Sequence, residues 1–260
     1  MTKVALVDQL GTRIEIDAPK RIISLVPSQT ELLYELGLDD RVVGITKFCV
    51  HPERWHKSKA IVGGTKNFHF DIIEKLAPDL IIGNKEENYE TGIGTLRKRY
   101  PVWMSDIVNF DDAISMIRSI AALTQTEEKG KEIIHSIESA FSSLQKIQLK
   151  RTLYLMWREP WMGAANGTFI HTMMEKAGLT NVLRHEDRYP ELSAEKIRAL
   201  NPELVLLSSE PFPFREKHIN EIETILPKSE ILLVDGEMFS WYGSRLRLAP
   251  AYFTRVLAGS

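Results

Sequence analysis

The sequence predicts an α/β protein of two lobes, each with a parallel sheet, joined by one long rigid helix. Three observations predict this fold: strand and helix patterns alternate in short units, a segment of the first half recurs in the second, and a long amphipathic helix lies between them. Alternating strands and helices are typical of parallel sheets covered by helices. We therefore expect an N-terminal lobe over residues 1–123, a connecting backbone helix over 124–150 and a C-terminal lobe over 151–260.

The elements of the first half follow in a clear order. Alternating apolar residues on both sides of Gly11 predict a hairpin, and the apolar run 22–26 predicts a buried parallel strand. Ser28 and Glu31 match the S-x-x-E capping box, which predicts a helix that Gly37 ends. Further strands are predicted at 42–45 and 80–82, with a helix over 70–76 between them.

An internal repeat relates the two halves. Residues 71–82 and 195–206 share a pattern at a constant offset of 124 positions: a helix that ends just before a proline, an acidic residue, and then an apolar strand. Each copy leads into a polar loop that contains glutamate. This repeat predicts two α/β halves of similar plan.

The segment between the halves predicts a stiff connection. Apolar residues from Ile133 to Leu144 recur at spacings of three and four, which is the pattern of an amphipathic helix from about Glu127 to Lys146. The segment has no proline and no glycine after Gly130, whereas flexible linkers are rich in both. We expect the motion between the lobes to be small.

Composition excludes several classes of protein. The 260 residues include 33 Lys plus Arg and 35 Asp plus Glu, and a net charge of −2 argues against a nucleic-acid binder. Cys49 is the one cysteine, which excludes an intramolecular disulfide. No apolar run reaches the roughly 18 residues of a membrane span. Residues 1–10 lack the apolar core of a signal peptide, so either export is not used or a leader was removed.

Loops that follow the strands hold the candidate site, because ligands bind at the carboxyl ends of parallel strands. Aromatic rings suit a planar ligand, and arginine suits anionic groups. For Trp157, Trp161 and Trp241 the core of the protein is an equally good location. The candidate ligand contacts in these loops are Phe48, Trp157, Arg158, Trp161, Glu210, Glu237, Trp241, Tyr242 and Arg245.

A metal site is a second possibility in the first half. Cys49, His51 and His69 could ligate a metal, although a lone cysteine is more often a small buried apolar residue. The sequence has no G-x-S-x-G, H-E-x-x-H, C-x-x-C or Walker motif, so no strong catalytic signature is present.

The chain resembles the helical-backbone (class III) substrate-binding proteins of ABC importers, which include periplasmic vitamin B12-binding and iron-siderophore-binding proteins. The likeness covers nearly the whole chain and is most specific at residues 21–31, 37–38, 41–44 and 78–82. Within this class the chain looks like a subgroup commonly labelled cobalamin-binding or helical-backbone metal receptors, with motifs at residues 48–52, 63–67, 85–88, 209–211 and 241–245.

The resemblance implies roles for individual residues. Phe48, Trp157 and Tyr189 fall where the B12 binders place aromatic rings in a cleft between the lobes, whereas Thr65 and Asn84 fall where those proteins have tryptophans. Asp71 and Glu195, which are equivalent positions of the repeat, match the carboxylates by which the family docks on arginines of the permease. A plainer explanation is that both are first-turn acids favoured by the helix dipole.

The function implied by the resemblance is transport. The protein would be a monomer without catalytic residues or a resident cofactor, binding a metal chelate similar to cobalamin or an iron-siderophore and delivering it to an ABC importer permease. Its location would be the periplasm or cell envelope, with the cytoplasm as the alternative. Two other functions stay open: a metal-binding enzyme or metallo-chaperone on the same fold, with Glu210 and Glu237 among the ligands, and a two-lobed regulator.

Overall fold

The computed structural model describes residues 4–144 and 150–257. The chain forms two compact units. The first comprises the chain through Ile107, Asp111–Ile137 and Tyr242–Arg245; the second comprises Val108–Phe110, Glu138–Trp241 and the chain from Leu246 onward. Two parallel-sheet α/β units confirm the predicted fold class. Within the described residues, no helix is both long and apolar enough to cross a membrane.

The chain up to Ser142 supplies nine strands and six helices among the described residues. In order these are β1 Val4–Val7, β2 Arg13–Ile16, β3 Ile22–Ser24, α1 Pro27–Glu35, β4 Val42–Ile45, α2 Glu53–Ser58, β5 Ala60–Ile61, β6 Gly63–Gly64, β7 Asn67–Phe68, α3 Phe70–Leu76, β8 Leu80–Asn84, α4 Glu90–Arg97, β9 Val102–Ser105, α5 Phe110–Thr124 and α6 Glu127–Ser142.

The remaining elements follow residue 150. They are β10 Arg151–Trp157, β11 Trp161–Gly163, α7 Phe169–Lys176, β12 Thr180–Asn181, β13 Glu191–Leu192, α8 Ala194–Leu200, β14 Leu204–Ser208, α9 Glu216–Ile225, β15 Glu230–Val234, α10 Glu237–Ser240, a 3₁₀ turn at Ser244–Leu248 and α11 Ala249–Leu257.

The two main sheets share one plan. The first is a five-stranded parallel sheet in the order β5-β4-β3-β8-β9. The second has the order β13-β11-β10-β14-β15, in which β10, β14 and β15 are parallel and β12 pairs in parallel with the start of β10. In each, the first strand of the sheet (β3 or β10) lies between the next strand along the chain (β4 or β11) and the strand of the repeated segment (β8 or β14). Apolar side chains from these strands and their helices form a buried cluster in each unit.

The sequence repeat corresponds to a structural repeat with matching contacts. In the first unit the Arg21 side chain donates to the last carbonyl of α3, at Leu76, and Asp79 accepts from the Arg21 backbone N–H at 2.8 Å. Both repeated helices end on a residue with positive φ, 41° at Ala77 and 43° at Asn201. The second unit repeats these contacts with Arg151, Leu200 and Glu203.

Helix α1 corrects one prediction. Its N-cap is Val26, whose side chain makes no cap hydrogen bond, so the predicted capping box of Ser28 and Glu31 does not form. The reason is that the Glu31 carboxylate is bound by Arg245, while Pro27 opens the helix at a position that needs no N–H partner. Gly37 follows the helix with φ 79°, as the sequence predicts.

Helix α6 is shorter over the described residues than predicted. It begins at Glu127 as expected and ends at Ser142 after about four and a half turns, since Ser143 and Leu144 are described and are not helical. The predicted end near Lys146 lies outside the described residues. Its residues through Ile137 belong to the first unit and those from Glu138 to the second, and the predicted limits of the lobes stay a prediction.

Candidate functional site

Phe48 is the most exposed of the predicted aromatic contacts in the first unit. It lies two residues beyond Thr46, in the loop that follows the carboxyl end of β4, and is 50% exposed. The ammonium group of Lys47 lies 5.0 Å from the centre of its ring. An exposed ring beside a cation at the carboxyl end of a parallel strand is available to a ligand.

Cys49 is a buried free thiol that lies between two hydroxyl groups. Its sulfur lies 3.1 Å from the Thr30 hydroxyl and 3.2 Å from that of Thr46. Burial raises the pKa of the thiol, which outweighs the lowering by these hydrogen bonds. Among residues 4–144 and 150–257, no three His, Cys, Asp or Glu side chains are grouped to hold a metal ion. The structure therefore does not group Cys49, His51 and His69 into a three-ligand site, because the cysteine packs inward while His69 is exposed.

A buried amide network supports the loop that follows β8. Asn84 donates from its side chain to the Ser105 hydroxyl at 3.0 Å, and Gln29 donates to the same oxygen at 2.6 Å. The Asn88 side chain donates to Leu25 and accepts from the backbone N–H of Asn84. The sequence predicts a polar loop here but not the network, because the members of the network lie far apart along the chain.

Trp157 begins an aromatic cluster in the second unit. It ends β10, is 39% exposed, and its ring meets Phe212 edge-on with centroids 5.9 Å apart. Phe212 contacts Phe214 and the buried His218 ring. Phe212 and Phe214 are not among the ligand contacts that the sequence predicts. Their proximity to Trp157 depends on β10 and β14 being sheet neighbours, which the repeat could have indicated.

Trp161 belongs mainly to the core. It is 8% exposed, packs in the apolar cluster of the second unit and stacks on Phe214 with an interplanar angle of 2°. The Arg158 guanidinium lies 4.4 Å from the centre of the Trp161 ring and bonds Glu221 at 2.8 Å. Trp161 therefore packs as a core residue, which is the alternative that the sequence left open. Arg158 already has an ionic partner in Glu221.

Glu210 and Trp241 are joined directly. One carboxylate oxygen of Glu210 accepts from the indole N–H of Trp241 at 3.0 Å and from the Ser240 hydroxyl at 2.6 Å. Trp241 is 8% exposed. Glu237 opens the short helix α10, and its backbone N–H bonds the Asp235 carboxylate at 3.1 Å.

Tyr242 and Arg245 belong to the first unit, although they lie late in the chain. Arg245 makes a two-pronged ion pair with Glu31 at 2.7 and 2.8 Å, and both side chains are largely buried. Gly243, which lies between Tyr242 and Arg245 in the chain, has φ 145°. A Cβ at this position would lie 3.0 Å from the Ser28 carbonyl oxygen. Glycine is required there because an L side chain would be strained and crowded.

Tyr189 lies in the loop before β13 and is half-buried. The Arg188 guanidinium lies 5.6 Å from the centre of its ring.

Asp71 and Glu195 occupy equivalent places in their units. Each lies in the first turn of its repeated helix, and each is exposed. Asp71 lies 3.9 Å from the ammonium group of Lys75, one turn away. Hydrogen bonds from its own backbone N–H and from Ser193 lower the pKa of the Glu195 carboxyl. The Glu195 carboxyl is thus charged at neutral pH.

Comparison with known proteins identifies the family. Residues 22–224 match the model of a family described as periplasmic binding protein. The chain belongs to the periplasmic binding protein family. This match confirms the resemblance drawn from the sequence and covers both repeated segments.

Individual relatives are distant in sequence. The chain is 24% identical over 206 residues to YvrC of Bacillus subtilis (strain 168), named an uncharacterized ABC transporter substrate-binding lipoprotein; the match covers 72% of this chain and only 63% of that relative's length. It is 24% identical over 197 residues to the vitamin B12-binding protein of Yersinia pseudotuberculosis serotype O:3 (strain YPIII), covering 74% of this chain and 70% of the relative.

Solved structures share the fold. The periplasmic heme-binding protein RhuT from Roseiflexus sp. RS-1 matches with a TM-score of 0.80 at 20% identity, over 92% of this chain and 98% of that one. The periplasmic vitamin B12-binding protein BtuF of Vibrio cholerae matches with a TM-score of 0.74 at 19% identity, over 93% and 97%. These likenesses show that the two-unit fold is that of periplasmic binding proteins.

Proposed function

We propose that this protein is the substrate-binding component of an ABC importer and that its ligand is a metal chelate of the cobalamin, heme or ferric siderophore type. The observation that carries the proposal is the family match over residues 22–224, taken with the named relatives. The alternative of a metal-binding enzyme or metallo-chaperone gains no support, since these relatives are named as binding proteins and the proposed metal ligands do not group.

The aromatic side chains support a planar ligand. Phe48 and Trp157 each follow the end of a parallel strand in their own unit, and each leaves a large part of its ring exposed. Exposed rings at the carboxyl ends of strands offer flat apolar area on which a planar ligand can stack. We propose that Phe48, Trp157, Tyr189, Trp241 and Tyr242 contact the chelate, with Phe212 backing the Trp157 ring.

The sequence predicts that Arg158 and Arg245 bind anionic groups of the ligand, whereas this proposal gives both a structural role. Arg158 is paired with Glu221, and Arg245 is paired with Glu31. An arginine that already holds a carboxylate gives a second anion less than a free guanidinium would. We assign both arginines to holding the loops of the site, and Glu237, which opens α10 after β15, stays a proposed ligand contact.

The partner proposed is a permease, with Asp71 and Glu195 as the docking carboxylates and the cell envelope as the location. Both residues are exposed, acidic and equivalent within the repeat. Relatives named as lipoprotein or periplasmic support this location.

Titration of the tryptophan fluorescence tests the ligand class. Three probes represent it: hemin, cyanocobalamin and the ferric hydroxamate ferrioxamine B. The proposal predicts saturable 1:1 quenching by at least one of them, weakened about tenfold or more in Trp157→Ala, since truncating a stacked ring costs about 1–3 kcal/mol. Tyr100→Ala, a ring outside the proposed site, serves as the control. No saturable binding of any of the three chelates would contradict the proposed ligand class.

A further inference from the structure

We propose that Glu210 is a positioning residue that fixes the indole of Trp241 and does not itself contact the ligand. This inference rests on the proposed function, because it takes Trp241 as one of the rings that contact the chelate. It also changes the role of Glu210, which the sequence analysis gave as a ligand contact.

The hydrogen bonds of Trp241 carry the argument. An indole has a single N–H donor, and here it points to Glu210 Oε1 at 3.0 Å. That donor is therefore not available to a ligand, which can meet only the carbon surface of the ring. Since the side chain has two torsions and is held both at its backbone and at its far nitrogen, the plane of the ring is fixed.

Neighbouring groups hold the carboxylate in turn. Ser240 donates to the same Glu210 oxygen at 2.6 Å, and the backbone N–H of Gly236 donates to the Ser209 hydroxyl at 3.0 Å. These bonds tie the loop after β14 to the loop after β15, which are adjacent parallel strands. Groups that orient a contact residue in this way are the supporting shell that a precise site needs.

Gly236 makes this close approach possible. A Cβ at this position would lie 2.4 Å from the Ser208 hydroxyl and 2.6 Å from the Cγ of Glu210. Both distances are well inside van der Waals contact, so any side chain at Gly236 would displace the carboxylate. The backbone of the second loop is thus shaped around Glu210.

A double-mutant cycle distinguishes positioning from direct contact. Affinity is measured for whichever of hemin, cyanocobalamin or ferrioxamine B binds the wild-type protein. Glu210→Ala removes a hydrogen bond to a charged group and should weaken the affinity for the chelate about tenfold. Glu210→Gln keeps an acceptor oxygen, so its affinity should stay within about threefold of the wild-type value. Glu223→Ala removes the same charge from an exposed position of α9 and should change affinity less than about twofold.

The cycle is closed in a Trp241→Phe background. If Glu210 acts only through the indole, adding Glu210→Ala to Trp241→Phe should weaken chelate affinity by less than about twofold. A full tenfold effect in that background would show that Glu210 contacts the chelate directly and would overturn the proposal.

Hydrogen exchange of the indole N–H supplies a readout that needs no ligand. The Trp241 resonance, assigned by its loss in Trp241→Phe, should exchange slowly in the wild-type protein and in Glu210→Gln, and at least about tenfold faster in Glu210→Ala. Unchanged exchange in Glu210→Ala would overturn the positioning role even if Trp241→Phe binds nothing. Failure of all three chelates to bind the wild-type protein would instead contradict the proposed function, independently of the exchange result.

Discussion

At the scale of single residues, the charged side chains of the site serve mostly to hold the protein together. Arg245 and Glu31 are 214 positions apart in the chain and form a two-pronged ion pair with both side chains largely buried. The sequence shows that an arginine lies beside glycine and serine, which suggests an anion site. It does not show which carboxylate folding brings to it, so the internal pairing could not be predicted.

Removal of Arg245 should destabilise the protein substantially. Arg245→Ala leaves the Glu31 carboxylate largely buried without its main partner, and the free energy of unfolding should fall by about 2–4 kcal/mol in urea denaturation. The control is Arg13→Ala, which breaks a pair exposed by 70% and 51% and should cost less than about 1 kcal/mol. Equal effects of the two substitutions would contradict the structural role of Arg245.

Cys49 should be chemically inert in the folded protein. Burial raises the pKa of its thiol, so the thiolate that reacts with disulfide reagents is scarce as well as inaccessible. Labelling by Ellman's reagent at pH 8 should be at least about a hundredfold slower in native buffer than in urea. The folded protein holds the thiol proton more tightly than the unfolded chain does. The contribution of Cys49 to the free energy of unfolding is therefore fully present below pH 9.0, the ordinary pKa of the thiol, and declines as the pH rises above it. Rapid native labelling would place Cys49 at an accessible site instead.

At the scale of helices and strands, local sequence patterns predict most elements of the fold. They fail where a contact between residues far apart in the chain determines the local structure. The hairpin of β1 and β2, the strands of both copies of the repeat and the end of α1 at Gly37 follow from apolar spacing and glycine placement. The capping box of α1 fails because Arg245 binds its glutamate. The choice of the carboxyl-end loops as the candidate region stays a prediction, and the Glu210–Trp241 bond was not foreseen because it spans 31 positions.

Two glycines of α4 offer a matched test of the packing of that helix. A Cβ at Gly94 would meet nothing within 4 Å, whereas a Cβ at Gly92 would lie 2.2–2.5 Å from ring atoms of Tyr89. Gly94→Ala should raise the free energy of unfolding by about 0.5–1 kcal/mol, the usual gain of alanine over glycine in a helix. Gly92→Ala should lower it by about 1–3 kcal/mol, because the Tyr89 ring must move. Changes of the same sign, measured as shifts of the urea midpoint, would show that α4 packs differently.

At the scale of the whole molecule, the repeat gives each unit the same helix with an exposed acid in its first turn. Asp71 and Glu195 arise from equivalent sequence positions, and neither is needed by the core of its unit. The plainer explanation, first-turn acids favoured by the helix dipole, also accounts for their exposure, so the two explanations differ in what they predict for transport. A permease that binds the two units through similar surfaces would explain why the repeat retains both acids.

Uptake of a labelled chelate by cells that depend on this protein tests the central claim most directly. Wild-type protein should restore uptake. The double variant Asp71→Lys with Glu195→Lys should bind the chelate within about twofold of the wild-type affinity yet fail to restore uptake, because reversed charges repel the permease arginines. Glu53→Lys with Glu223→Lys, which reverses two other exposed acids, serves as the matched control and should restore it. Uptake that does not depend on this protein, or that survives the reversal of Asp71 and Glu195, would contradict the account.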